Sequence, residues 1–220
     1  KYLRIDAFGL YKVIKNMSKS TNSIKKIFNL SSIGPKPRKK SQLWMKDVGF
    51  DEAPWYRERM GLRELEDFLE VADNRIDHVK ITTLQVLGHP KEWLERKIKL
   101  YKKHSIQPYL DHGYFLKAFK KGKVNEAIDA AADLGFSAME FMNTFGDIPE
   151  NQIKDWCNRA IKNGMNIIYE HHPESGWRKT KKNIPTTLKQ ITESADRFFD
   201  YGAFAMVGDH EDIELHDSKS

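Results

Sequence analysis

At 220 residues the chain is long enough for one large domain with its own core, and 40% hydrophobic with 11% aromatic content excludes a disordered chain. No run approaches 18 apolar residues, so no membrane span is expected, and the single cysteine, Cys157, excludes an internal disulfide. The net charge of +6 is uneven: residues 1–40 hold 11 Lys/Arg and one acid, Asp6, and the remainder holds 26 basic and 30 acidic residues, so the body gives no electrostatic reason to bind nucleic acid.

The first 40 residues are expected to form a basic arm. Leu3, Ile5, Phe8, Leu10, Val13 and Ile14 suit a short amphipathic helix, and Gly34-Pro35-Lys36-Pro37 breaks any helix that follows. An arm of this kind suits docking to a protein or an anionic surface. Its basic, serine-containing, acid-poor composition also fits organelle import. Without a secretion signal, and with one cysteine, a reducing cytoplasmic setting is expected.

From Ser41 a strand–helix unit repeats about six times, with a period of roughly 30 residues. Strand one is Leu43-Trp44-Met45-Lys46, and Leu62, Leu65, Phe68, Leu69 and Ala72 mark the first helix face. Strand two spans 76–81. Pro90 is placed for the first turn of a helix carrying Leu94, Ile98 and Tyr101. Strand three spans 106–110, where Pro108 argues mildly against a central position. A helical stretch from Phe115 to Leu134 follows, then Gly135 and strand four, ending on Glu140. Ile153, Trp156, Cys157, Ala160 and Ile161 share the next helix face, so Cys157 belongs to the core rather than to nucleophilic chemistry. Gly164 opens strand five, which ends on Glu170. A basic loop, 173–183, precedes a helix carrying Leu188, Ile191, Ala195, Phe198 and Phe199. The sixth strand spans 203–208, and a polar tail begins at about 212.

Strand and helix in strict alternation imply a parallel sheet with right-handed crossovers. Eight units close a TIM-type (β/α)8 barrel. Six are visible, so an incomplete or C-terminally truncated barrel over 41–220 is expected. No Gly-x-Gly-x-x-Gly follows any strand, which disfavours an open dinucleotide-binding sheet.

Such barrels keep their chemistry at the C-terminal ends of the strands. Here those ends carry Asp47, then Lys80 with Thr82 and Thr83, Asp111 and His112, Glu140 and Asn143, Glu170 with His171 and His172, and Asp209 with His210. Glu140 and Glu170 each close an apolar run, and a carboxylate at that depth needs a metal, a lysine or a proton. Oxygen-rich ligands with a few imidazoles suit Mg²⁺ or Mn²⁺ better than a structural zinc site. Lys80 suits an anionic substrate group or a base role. His171 and His172 point to opposite sides if the strand persists.

Asp47-Val48-Gly49-Phe50, Leu65-Glu66-Asp67-Phe68-Leu69, Ile76-Asp77-His78-Val79-Lys80, the turn Leu134-Gly135-Phe136-Ser137-Ala138-Met139-Glu140, and Tyr169-Glu170 fall in an order that resembles the phosphosulfolactate synthase family, which includes plant heat-stress-associated proteins. The resemblance runs from about Ser41 to Asp209. It implies a (β/α)8 barrel and a lyase that adds sulfite to phosphoenolpyruvate with Mg²⁺. Three departures stand out: Val48 replaces a family lysine, Thr82 a family glycine, and Leu110-Asp111-His112-Gly113 a glycine-lined turn.

The first expectation is therefore a divergent lyase-like enzyme on a small anionic substrate. Asp47, Glu140, Glu170 and Asp209 would serve as metal ligands. Lys80, Asp47 and Asn143 would contact substrate, and Lys80, Glu140, Glu170, His112 and His172 would carry the chemistry. A homo-oligomer is compatible with this reading. A catalytically retired barrel acting as a stress-related scaffold is one alternative, and a sugar-isomerase-like metal-dependent barrel is another.

Overall fold

The computed structural model describes residues 34, 36, 38, 42–47, 60–72, 75–143, 146, 148–171 and 188–208, with the side chains of 188–190 left out. By its contacts the chain divides into residues 1–35 and 36–220, and the interactions below all belong to the second unit. Lys36 and Arg38 are part of it: the Lys36 ammonium donates to the His104 carbonyl, and Arg38 donates through Nε and Nη2 to Asp77 Oδ2 at 3.0 and 2.7 Å.

The described elements are β1 (Trp44–Asp47), α1 (Leu62–Ala72), β2 (His78–Ile81), α2 (Thr83–Gly88), α3 (Lys91–Lys103), β3 (Gln107–Leu110), α4 (His112–Lys120), α5 (Val124–Leu134), β4 (Ala138–Phe141), α6 (Glu150–Lys162), β5 (Asn166–His171), α7 (Leu188–Asp200) and β6 (Ala203–Gly208). The six strands form one sheet in the order of the chain, and every neighbouring pair is parallel. This is the α/β, TIM-type arrangement in part, with six of a barrel's strands. A flat sheet of six strands would hold its edge strands about 24 Å apart. Here the Trp44 ring of β1 lies 5.9 Å from the Phe204 ring of β6, so the sheet has rolled inward.

Rolling separates two apolar layers. The outer one packs Val79, Ile81, Leu110, Met139, Phe141 and Tyr169 against helix residues such as Leu65, Ile98, Phe115, Trp156 and Phe198. The inner one is small: Tyr109, Ala138 and Ile168, joined by Trp44 and Val207. Cys157 lies wholly in the outer layer, and burial pushes its thiol up to about 12, which agrees with a packing role.

Two local features depart from the sequence expectation. The single helix anticipated over 115–134 is two helices, α4 and α5, parted at Gly122, whose φ of +65° is open to glycine at little cost. Pro108 sits in a central strand, between β2 and β4. It is tolerated because only its carbonyl is used on the β4 side, accepting from the Ser137 N–H at 2.8 Å. Gly202 (φ +94°) ends the turn after α7, where a side chain would also collide with Ile161 at 2.8 Å.

Candidate active site

Strand alternation decides which charged residues meet. Val79 and Ile81 of β2, Met139 and Phe141 of β4, and Ile167 and Tyr169 of β5 belong to the outer layer. The residues that alternate with them, Lys80, Glu140 and Glu170, therefore face inward near the C-terminal ends. Lys80 Nζ lies 2.7 Å from Glu140 Oε1 and 3.3 Å from Glu170 Oε2. The β3 unit contributes from just beyond its strand. His112, the first residue of α4, places Nδ1 at 3.3 Å from Glu170 Oε1 and 3.6 Å from Glu140 Oε2. Its main-chain N–H donates to Glu140 Oε2 at 2.8 Å, so this carboxylate also sits on the positive end of α4.

Glu140 is fully buried and Glu170 is 4% exposed. Burial, with Glu170 alongside, raises the Glu140 carboxyl above its ordinary range even though His112 and Lys80 pull it down. Glu170 is buried too, but there His112 and Lys80 outweigh burial and hold it below the usual range. Burial works against the His112 imidazolium, yet the two carboxylates carry it up to about 9. Burial likewise opposes the Lys80 charge, and the same carboxylates raise it. The pair of acids is thus split: one retains its proton towards neutral pH and the other is ionised. That division suits proton transfer and charge stabilisation in one site.

His112 Nδ1 and an oxygen from each glutamate lie within 4.8 Å of one another. Two carboxylates and one imidazole form an oxygen-rich set that fits a divalent ion of the Mg²⁺ or Mn²⁺ kind. The Lys80 ammonium lies against the same oxygens, so such an ion would take over its role as counter-charge.

The other expected site residues are placed differently. Asp47, expected among the metal and substrate ligands, does not join the cluster. The parity of β1 turns it to the helix layer, where it is fully buried. There Lys97 Nζ lies 2.6 Å from Oδ2 and the Tyr101 hydroxyl donates to the same oxygen at 2.6 Å. Gln85 Nε2 donates to the Asp47 carbonyl at 2.5 Å, and its Oε1 accepts from Lys97 at 2.9 Å. Asn143 is also engaged elsewhere. Its side chain bridges its own loop, donating to the Ile148 carbonyl at 2.9 Å and accepting from the Ile148 N–H at 3.1 Å. His171 faces the outer layer, with Nδ1 3.0 Å from the Tyr169 hydroxyl. His172 and Asp209 lie outside the described residues.

Lys97 and Gln85 are not among the residues the sequence singles out. A signal exists for the lysine: Lys97 falls on the stripe of Leu94, Ile98 and Tyr101, and a lysine on an apolar stripe marks a buried cation. No helix among the described residues is long and apolar enough to cross a membrane.

A rolled parallel α/β sheet with carboxylates, a lysine and a histidine gathered at its strand ends has the architecture of a TIM-type barrel. The chain belongs to the (2R)-phospho-3-sulfolactate synthase (ComA) family, which matches residues 32–219. The phosphosulfolactate synthase of Methanocaldococcus jannaschii is 28% identical over 137 residues, which cover 62% of this chain and 55% of that one. That of Methanothermobacter thermautotrophicus is 24% identical over 135 residues, 61% and 48% of the two chains. The chain spans about half the length of these curated relatives.

Proposed function

We propose that this chain is a ComA-like lyase that forms or breaks a bond beside the enolate carbon of a small anionic substrate. The observation that supports it is the convergence of Lys80, Glu140, Glu170 and His112 from four separate segments, with a first link of 2.7 Å. In the family reaction, sulfite sulfur would bond to C3 of phosphoenolpyruvate, the C2–C3 double bond would open, and a proton would arrive at C2. Lys80 would hold the anionic end of the substrate. His112, whose imidazole lies beside both carboxylates, would deliver the proton. Glu140 and Glu170 would hold a divalent ion, which when bound supplies Lewis-acid stabilisation of the enolate oxygen. Each of these roles stands on the cluster alone; Asp47 and Asn143 have none.

The test is turnover of sulfite and phosphoenolpyruvate with Mg²⁺ or Mn²⁺, together with calorimetric metal binding. Glu140→Gln should weaken metal binding at least tenfold and lower turnover roughly a hundredfold or more. Unchanged metal binding and unchanged turnover in that variant would defeat the reading. A retired site is the second reading, and one observation favours it: the Lys80 ammonium already neutralises the carboxylates a metal would need. It predicts no metal binding in the wild type.

A further inference from the structure

Thr82 carries an anomaly. It is fully buried, and its hydroxyl has no hydrogen-bond partner among the described residues. An orphaned buried hydroxyl loses its hydration without a replacement bond, so such groups are rare in finished structures. Thr82 is also the N-cap of α2, where a threonine hydroxyl normally accepts a main-chain N–H from the first turn. Here it makes no cap bond.

The capping is done instead from the next unit of the barrel. Asp111 Oδ2 accepts the Thr83 N–H at 3.0 Å, Asp111 Oδ1 accepts the Thr83 hydroxyl, and the same oxygen accepts the Tyr114 N–H of α4 at 3.2 Å. One carboxylate therefore caps two helices. Gly113 allows that approach, since a Cβ there would lie 2.8 Å from Thr83 Oγ1. This arrangement relieves Thr82 of its cap role and closes the first amide of α2 to any outside anion. The Thr82 backbone is extended (φ −75°, ψ 153°), so the alternation of β2 continues through it. Ile81 faces the helices, and Thr82 is on the side of Lys80.

We infer that Thr82 is a substrate-binding residue of this site: its hydroxyl donates to an oxygen of the anion held by Lys80. The inference rests on the reading of the cluster as a substrate site. It adds a neutral side-chain hydroxyl beside the side chains of Lys80 and His112. Because the amide of Thr83 is already taken by Asp111, the anion is recognised by side chains, Lys80 and Thr82, rather than by a helix start. That favours a planar carboxylate or enolate end over a phosphate at this position.

The experiment is calorimetric titration of phosphoenolpyruvate, pyruvate and oxalate, each with Mg²⁺, into the wild type, Thr82→Val, Thr82→Ser and Lys80→Met. Thermal unfolding of each without ligand accompanies it. Thr82→Val keeps the shape and removes the orphan, so it should unfold at the same temperature as the wild type or higher. It should nevertheless bind the ligand roughly tenfold more weakly. Thr82→Ser should restore most of that affinity. If Thr82→Val binds like the wild type while Lys80→Met does not, this inference fails and the cluster reading stands. A Thr82→Val that unfolds several degrees lower would show a structural partner for the hydroxyl, and would also overturn it. If the wild type binds none of the three, the cluster reading falls and takes Thr82 with it.

Discussion

Two lysine–carboxylate clusters lie on opposite faces of the same rolled sheet, and their central acids, Asp47 and Glu140, are equally inaccessible to water. Outside, one carboxylate meets one lysine, one hydroxyl and one amide, and Lys97 completes its own valences on Gln85 and the Met60 carbonyl. Inside, two carboxylates share one lysine, one imidazole and the His112 main-chain N–H. In the outer cluster the one acid meets three donors. In the inner cluster two acids share the donors; burial raises Glu140, and against the same burial His112 and Lys80 hold Glu170 down. Burial and charge do not separate the two. The ratio of acids to donors does, and the proposed chemistry rests on the inner face, where acids are more numerous relative to donors.

The sharpest way to break this contrast is to remove one acid from each cluster. Asp47→Ala leaves Lys97 as a buried charge with no carboxylate, which should cost about 3–5 kcal/mol and endanger folding. Replacing both partners, Asp47→Leu with Lys97→Met, should cost clearly less than the single change. Glu140→Gln is expected to shift stability by no more than about 1 kcal/mol, because Glu170 remains for both Lys80 and His112. Urea unfolding of the four proteins measures all of these. Equal losses from Asp47→Ala and Glu140→Gln would erase the distinction.

A smaller effect separates the clusters by pH. The His112 pKa is raised to about 9 in the folded protein, from an ordinary value near 6.5. A raised imidazole contributes stability that is fully present below its unfolded pKa and lost as pH climbs through the folded one. The metal-free protein should therefore lose a few degrees of melting temperature between about pH 7 and about pH 9. His112→Gln should flatten that slope, and a slope that persists in this variant would place its origin elsewhere.

The sheet is legible in the sequence because its signals are local. Glycine-opened apolar runs, the spacing of Leu94, Ile98 and Tyr101, and the alternation of units predict six parallel strands, and six are found among the described residues. Glu140, Glu170, Lys80 and His112 are also visible, each at the end of a strand or just beyond it. Asp47 escapes correct assignment for a physical reason. A residue's distance along a strand is plain from sequence, but the face it takes depends on register, and one step in β1 exchanges barrel interior for helix layer. Asn143 stands just beyond the ordered strand, where its own loop claims it. The capture of two helix starts by Asp111 has no sequence signal, because it joins units that only the fold brings together.

The smallest test probes whether the outer cluster is as saturated as its geometry suggests. Tyr101→Phe removes one of the donors on Asp47 and keeps the ring packed. No buried donor is orphaned by the change, and Asp47 keeps Lys97 at 2.6 Å. The expected loss is about 1–2 kcal/mol, near the value of one hydrogen bond to a charged acceptor. A loss as large as that of Asp47→Ala would mean that the Tyr101 hydroxyl, and not the lysine, holds the outer network together. The outer network would then be as finely poised as the inner one, and the ratio of donors to acids would no longer tell a structural cluster from a chemical one.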